Sequence, residues 1–303
     1  MASNNQQFNI SGNSGCVVST IARSDGTCFV RKLSGDVGYN SRLREQQLKQ
    51  ECFLRNNTVG NVSSPMVIGF GLAADNRFYF DMDYVGSNDC ISFFCSCGVS
   101  EIDGFLTSII DSIDSFIGSC SFHKFKPNDF MGKYESVRNN IVVSGKLDSG
   151  DEFLLSIGKW LSTIIGDLES AEIPIGSSHG DLTLSNIIVG RGDNKLWLID
   201  FLDSFIESPI NDIVKLRQDT MFGWSSRFYG GKMDRSRIAM VMSYLDNAIS
   251  EYFYKYEFYR LFYDIFQVLN MLRIMPYCSR KSDYLFLRRS IVSQLDSMGV
   301  CCE

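Results

Sequence analysis

Histidine is scarce in this chain: there are two among 303 residues, His123 and His179. That argues against a histidine-built metal centre, and it leaves a Ser-His-Asp triad only these two candidates, neither set in a nucleophile elbow. No uninterrupted apolar run is long enough to span a bilayer, so no membrane partner is expected. The opening stretch, MASNNQQFNI, lacks the charged-then-apolar layout of a secretion signal, which makes a cytoplasmic location the expectation. Positive charge is not in excess either: 29 Lys and Arg stand against 35 Asp and Glu, a net charge of −6, and broad contact with nucleic acid is not favoured. The 10 cysteines are scattered, and the Cys90, Cys95, Cys97 cluster has no second Cys pair or histidine at zinc spacing. Without a signal segment a disulfide framework is not expected. There is no internal repeat and no low-complexity tract.

What is present is an ordinary globular composition, 45% hydrophobic and 21% charged, in a chain long enough to bury a sizeable core as one large domain or two lobes. The first 85 residues read mostly as strands. Residues 15–21 and 27–33 are β-rich runs around a Ser24-Asp25-Gly26 turn, and residues 66–72 and 77–84 form another pair around residues 73–76. Between the two pairs, residues 41–56 read as a helix ended by Asn56-Asn57. Beyond Gly86 the period changes to that of helices, over 102–117, 153–168, 211–220, 234–275 (at least two helices) and 282–298. Strands with one helix, followed by helices with an embedded hairpin, predict an α+β protein of two lobes.

The hairpin carries the chemistry. Ile187-Ile-Val189 and Leu196-Trp-Leu-Ile199 are short apolar runs on either side of Gly190-Arg-Gly-Asp-Asn194, a turn sequence. Pairing outward from that turn brings Asn186 close to Asp200, and Asp181 lies in the loop that feeds the first strand. A carboxylate and an amide oxygen side by side suit a hard cation such as Mg²⁺, which takes one or two protein carboxylates and fills its shell with water and phosphate oxygens. A second carboxylate beside that shell can orient a hydroxyl and accept its proton. Together these are the parts of a phosphoryl-transfer site. The plainer reading is a solvated hairpin with Asp and Asn in its turns; the spacing and the second aspartate favour function.

Other pieces fit the same chemistry singly less well. Lys32 ends a strand in which Arg31 and Lys32 face opposite sides, so one can be solvated and the other turned inward. Ser11-Gly-Asn-Ser-Gly15 is a small turn whose N–H groups suit phosphate, or an ordinary hairpin turn. Residues 80–86, Phe-Asp-Met-Asp-Tyr-Val-Gly, close the strand-rich part as a linker able to offer backbone groups to a purine edge. Asp212 stands at a helix start, where an N-cap role weighs equally with a functional one. Trp224, Phe228, Tyr229, Tyr259 and Tyr277 are candidate walls for a substrate, although core packing is the better reading for most of them.

His179-Gly180-Asp181 through Asn186, followed by Ile199-Asp200-Phe201, resembles the protein-kinase-like superfamily, most closely its small-molecule branch, the aminoglycoside phosphotransferase and choline kinase group. The resemblance implies a bilobal α+β fold: a small strand-rich nucleotide-binding lobe over residues 1–85 and a larger helical lobe over 86–303 for catalysis and substrate. It implies ATP and Mg²⁺, with Asp181 as the catalytic carboxylate and Asn186 and Asp200 as metal ligands. It also implies Lys32 and Ser14 at the phosphates, the Asp83 C=O and Val85 N–H at adenine, and Asp212 bracing the catalytic loop. For the helix partner of Lys32, Glu45, Gln47 and Glu51 compete; Gln47 and Glu51 share a face, and Glu51 is favoured.

The departures from the family pattern shape the expectation. Gly180 stands where protein kinases carry Arg, and the segment from Asp200 to Asp212 is too short for a peptide-docking platform. Both favour a small acceptor over a protein, whereas Thr183-Leu184-Ser185 differs from the His-Pro-Gly of the phosphotransferase branch. The expected activity is an ATP-dependent kinase acting on the hydroxyl of a sugar, an amino alcohol or an aminoglycoside-like metabolite. The alternative is a nucleotide-binding protein that no longer catalyses, and an unusual protein kinase ranks last.

Overall fold

A computed structural model of the chain describes residues 7–10 and 15–300. In chain order the strands and helices of the first part are β1 (Gln7–Ile10), β2 (Cys16–Ala22), β3 (Cys28–Ser34), α1 (Asn40–Asn56), β4 (Val62–Ser63), β5 (Val67–Leu72), β6 (Phe78–Asp83), β7 (Ser87–Asp89), α2 (Cys90–Ser96) and α3 (Val99–Gly118). There follow β8 (Ser121–Lys124), α4 (Pro127–Val143), α5 (Glu152–Ile164), β9 (Glu172–Ile175), β10 (Ile187–Gly190) and β11 (Leu196–Leu198). The last helices are α6 (Pro209–Thr220), α7 (Arg235–Phe253), α8 (Glu257–Ile274) and α9 (Lys281–Ser297). The fold is mixed α and β, with a strand-rich N-terminal sheet and a helical C-terminal region. Among the described residues no helix is long and apolar enough to cross a membrane.

The chain divides into two compact units, the first made of Met1–Ser115, His179–Asp203 and Tyr229–Ile238. Its main sheet has five antiparallel strands in the order β1-β2-β3-β6-β5. The predicted turns close it: Gly26 has φ +84°, Asn76 has φ +63°, and the Asp25 carboxylate accepts from Thr27 N at 2.9 Å. Helix α1 lies on one face of this sheet. Its buried positions are Leu43, Gln46, Gln47, Gln50 and Phe53, the i, i+3, i+4, i+7 stripe of a helix facing a core. Cys16, Leu43, Phe78, Phe80 and Met82 form the core beneath it. Burying each large side chain there contributes about 1.5–3 kcal/mol. Asn40 ties the start of the helix to the sheet, accepting from Phe78 N at 2.7 Å and donating to Asn76 O at 2.8 Å.

The predicted hairpin forms with Ile187 opposite Leu198 and Val189 opposite Leu196. It does not stand alone. β7 adds antiparallel to β10, and β4 adds parallel to β11, giving a four-stranded sheet in the order β4-β11-β10-β7. The two added strands are so short that neither has a periodicity of its own in the sequence; pairing to the hairpin creates them. Ile187, Val189, Leu196 and Leu198 are all buried, so the register is pinned by one apolar face.

The second unit comprises Phe116–Ser178, Ser204–Phe228 and Ala239–Glu303. Helix α8 is buried over most of its length, from Phe258 to Leu272, as befits a helix surrounded by its neighbours. Phe125, Phe130, Phe205, Phe262 and Phe266 pack ring to ring, with centroids 4.8–6.4 Å apart. Helix α4, which the sequence analysis leaves without an element, buries Phe130, Tyr134, Val137 and Ile141. Its helical period is masked by Gly132 and by Asn139-Asn140. Helix α6 begins at Pro209, with Ser208 as its N-cap accepting from Ile210 N. Asp212 is therefore not the cap; it lies in the first turn and is fully buried.

Candidate active site

The site lies wholly within the first unit, and it starts from the loop ahead of β10. The imidazole of His179 is fully buried, its ring centroid 4.3 Å from that of Phe201. Its Nδ1 lies 3.2 Å from Asp181 N, which can only donate, so Nδ1 accepts. Its Nε2 lies 2.9 Å from the carbonyl oxygen of Ile199, which can only accept, so Nε2 carries the proton. Burial holds the ring neutral, lowering its pKa to about 4. A neutral imidazole thereby stitches the Asp181 end of the loop to the Asp200 end of the hairpin.

Gly180, between them, has φ +86°, and a Cβ there would overlap the carbonyl oxygen of Leu202. That oxygen accepts from Lys49 Nζ at 2.6 Å, while Leu202 N donates to His179 O at 3.0 Å. The space an arginine side chain would need is thus filled by the segment that follows Asp200. Asp200 itself has φ +63°, left-handed backbone that Asp tolerates better than most residues. Such strain is commonly stored at functional positions.

Asn186 ends a short 3-10 turn, Leu184–Asn186. Its Nδ2 donates to Asp181 O at 2.8 Å and to Asp181 Oδ2 at 2.9 Å. The amide is planar, so fixing the nitrogen toward Asp181 turns the oxygen away from it. Ile199 N donates to Asn186 O at 3.0 Å, the ladder bond that sets Asp200 next to this turn. Lys32, on β3, is 1% exposed and lies opposite Phe80 on the face covered by α1. Its Nζ reaches Asp200 Oδ1 at 2.8 Å. Arg31 takes the other face, where Asp81 grips it at 2.7 and 2.8 Å and the Tyr79 ring lies 4.0 Å away.

The fold therefore brings together Lys32, Asp181, Asn186 and Asp200, from β3, a loop, a 3-10 turn and the end of a hairpin. Asp83 and Val85 lie at the exit of β6, beside β3; Asp83 N donates to Met66 O at 3.0 Å. Ser14 lies outside the described residues. The helix partner of Lys32 needs correction. It is neither Glu51 nor Glu45 nor Gln47 but Gln46, whose Oε1 accepts from Nζ at 2.9 Å. At 100° per residue, Glu51 stands about 140° around α1 from Gln46 and cannot share its face. Glu45 is exposed and shares a hydrogen bond with the Asp203 carboxyl, which raises its pKa. Gln47 is buried, and its Nε2 has no hydrogen-bond partner. The signal that could have found Gln46 is its helical spacing with Leu43, Gln50 and Phe53, which places it on the buried face of α1.

The donor set fits a hard cation. Asn186 offers an amide oxygen and Asp200 a carboxylate, of which one oxygen already faces Lys32. Among the described residues no group of three or more His, Cys, Asp or Glu side chains gathers as an all-protein cage. That is the situation of Mg²⁺, which binds one or two carboxylates and shares phosphate oxygens with its nucleotide.

Of the aromatic candidates, Tyr259 is core: it is 3% exposed, and its hydroxyl takes Arg217 Nη1 at 2.6 Å. Trp224 packs against Phe228 and Phe286, with Phe228 53% exposed, and Tyr277 is 83% exposed.

No protein-family model and no curated protein matches this sequence. Solved structures do match its fold. A thermostable mutant of the aminoglycoside phosphotransferase APH(4)-Ia superposes with a TM-score of 0.60 at 11% identity, over 98% of this chain and 96% of that one. Glucosamine kinase (crystal form A) gives 0.55 at 10% identity, over 98% and 94%. Plasmodium vivax ethanolamine kinase gives 0.50 at 14% identity, over 97% and 82%. The phosphotransferase has also been solved with ADP and hygromycin B. The chain therefore shares the fold of these structures, whose own activities are those of an aminoglycoside phosphotransferase, a glucosamine kinase and an ethanolamine kinase.

Proposed function

We propose that this protein is an ATP-dependent phosphotransferase that moves the γ-phosphate to a hydroxyl of a small metabolite: a sugar, an amino alcohol or an aminoglycoside-like compound. The observation that carries the proposal is the double hydrogen bond from Asn186 Nδ2 to Asp181, set beside an Asp200 held by Lys32. These contacts support a reading in which a carboxylate, an amide oxygen and an ammonium serve one phosphoryl group, as charge-spreading phosphoryl transfer requires.

Residues 1–85 take the nucleotide, with adenine against the Asp83 C=O and the Val85 N–H and the phosphates toward Ser14 and Lys32. Residues 86–303 supply catalysis and the acceptor site. Mg²⁺, when bound by Asn186 and Asp200, offsets phosphate charge. Lys32 holds phosphate oxygens from the buried side of β3. Asp181, kept in place by Asn186 and by the imidazole of His179, orients the acceptor hydroxyl. As the hydroxyl oxygen bonds to the γ-phosphorus, the bond from that phosphorus to the bridging oxygen of ADP breaks. The hydroxyl proton passes to an Asp181 carboxylate oxygen. Gly180 and the short segment after Asp200 support a small acceptor over a protein.

The test is an ATP-consumption screen across sugars and amino alcohols, repeated with Asp181→Asn. Acceptor-dependent ADP release by the wild type, lost in Asp181→Asn with ATP affinity kept, is the expected result. ATP binding with no turnover for any acceptor would favour a nucleotide-binding protein without catalysis.

A further inference from the structure

Lys32 is held by a neutral relay. Its ammonium has only donors, so the Gln46 atom 2.9 Å away is the amide oxygen. The amide nitrogen then faces Tyr39, donating to its hydroxyl oxygen at 3.1 Å. Gln46 is 2% exposed, so neither half of the amide exchanges its partner for bulk water. The same tyrosine ring abuts Gly15, where an added Cβ would lie 3.0 Å from two ring carbons. Gly15 is clamped from the other side, its carbonyl accepting from Gly35 N at 2.8 Å. One ring therefore touches both the glycine that precedes β2 and the amide that places Lys32.

We propose that Gln46 and Tyr39 are positioning residues for nucleotide phosphate binding, and that the neutrality of Gln46 is part of their role. This rests on the phosphotransferase reading above. A carboxylate at position 46 would claim much of the lysine's charge and leave Tyr39 without its N–H donor. An amide fixes the ammonium in place by a single charge-assisted hydrogen bond and leaves its charge to Asp200 and to the phosphates. Tyr39 holds the amide in that orientation and ties it to the backbone at Gly15.

The experiment is titration calorimetry of the full chain with Mg-ATP and, separately, with adenosine. Lys32 acts on phosphates, so damage confined to this relay weakens ATP and spares adenosine, whereas a general structural loss weakens both. Gln46→Ala is expected to lower ATP affinity on the order of tenfold or more, and Tyr39→Phe by roughly threefold, the loss expected from one neutral hydrogen bond. Gln46→Glu keeps an oxygen facing Lys32 and is expected to bind ATP more weakly than the wild type, with adenosine affinity unchanged. Wild-type ATP affinity in both Gln46→Ala and Tyr39→Phe overturns the positioning role. Gln46→Glu binding ATP as tightly as the wild type overturns the role of neutrality. A parallel loss of adenosine affinity in the mild Tyr39→Phe variant overturns a phosphate-specific role. A wild-type chain that binds no ATP overturns the phosphotransferase reading itself, and this proposal with it.

Discussion

The ion pair between Lys32 and Asp200 is lopsided: Nζ and Oδ1 are 2.8 Å apart, yet the lysine side chain is 2% exposed and the aspartate 33%. The two charges therefore depend on each other unequally. Without Asp200, the ammonium is left in the core beneath α1 with a single amide oxygen. Without Lys32, the carboxylate can hydrate.

That asymmetry sets an order of stabilities. Asp200→Ala should cost about 3 kcal/mol or more, the loss expected when a buried charge is stranded. Lys32→Met should cost about 1–2 kcal/mol, chiefly from the Gln46 carbonyl left without its donor. Urea titrations of both variants measure this directly, and a Lys32→Met variant less stable than Asp200→Ala would refute the unequal pair.

Two glycines with similar backbone angles should respond differently to the same change. Gly180 (φ +86°) abuts the Leu202 carbonyl, whereas Gly192 (φ +95°) has nothing within 4 Å of an added Cβ. Gly192→Ala carries only the left-handed penalty, about 1–2 kcal/mol. Gly180→Ala adds a backbone overlap that must displace the segment after Asp200, and should cost about 3 kcal/mol or more. Comparable melting temperatures for the two variants would mean the loop has room that the packing denies.

His179 makes stability depend on pH. Its folded pKa is about 4, below the ordinary 6.5. The unfolded chain thus binds more protons between those values, and stability falls with acidification through that window. The contribution is fully present above pH 6.5 and is lost as the pH drops toward 4. Between pH 7.5 and 5 the wild type should lose about 2 kcal/mol more than His179→Gln. Denaturant midpoints at the two pH values test it, and equal losses would place the proton elsewhere.

In the helical unit, Asp246 grips Arg217 at 2.9 and 2.8 Å, Tyr259 completes the guanidinium contacts at 2.6 Å, and the Tyr263 ring lies 4.4 Å away. Asp246→Ala alone should cost about 3–5 kcal/mol, because it strands a buried guanidinium. Combined with Arg217→Met, the total should fall short of the sum by about 2 kcal/mol. A double-mutant cycle by thermal or urea unfolding gives that coupling, and additivity would mean the pair is not energetically linked.

Much of this was legible locally. The turns at Ser24-Asp25-Gly26 and at residues 190–194, the alternation in β2, β3, β5 and β6 and the helical stripes of α1, α3, α5 and α9 depend on neighbours within a few residues. So does the delivery of Asn186 toward Asp200 by the hairpin. Strands β4 and β7 were not legible, because two or three residues carry no period and their partners lie far along the chain. Gln46 was missed for a related reason: the stripe on α1 announces burial but not which polar group waits beneath it.

By itself, the sequence determined the hairpin, its apolar face and the candidate chemistry of Asp181, Asn186 and Asp200, since turn residues and side-chain alternation act over single hydrogen-bond rings. Tertiary packing alone decided the rest: which α1 residue meets Lys32, why position 180 admits no side chain, and which nitrogen of His179 carries the proton. Each of these is settled by a carbonyl, an amide or a ring brought in from elsewhere in the chain, and burial leaves those groups no water as a substitute partner.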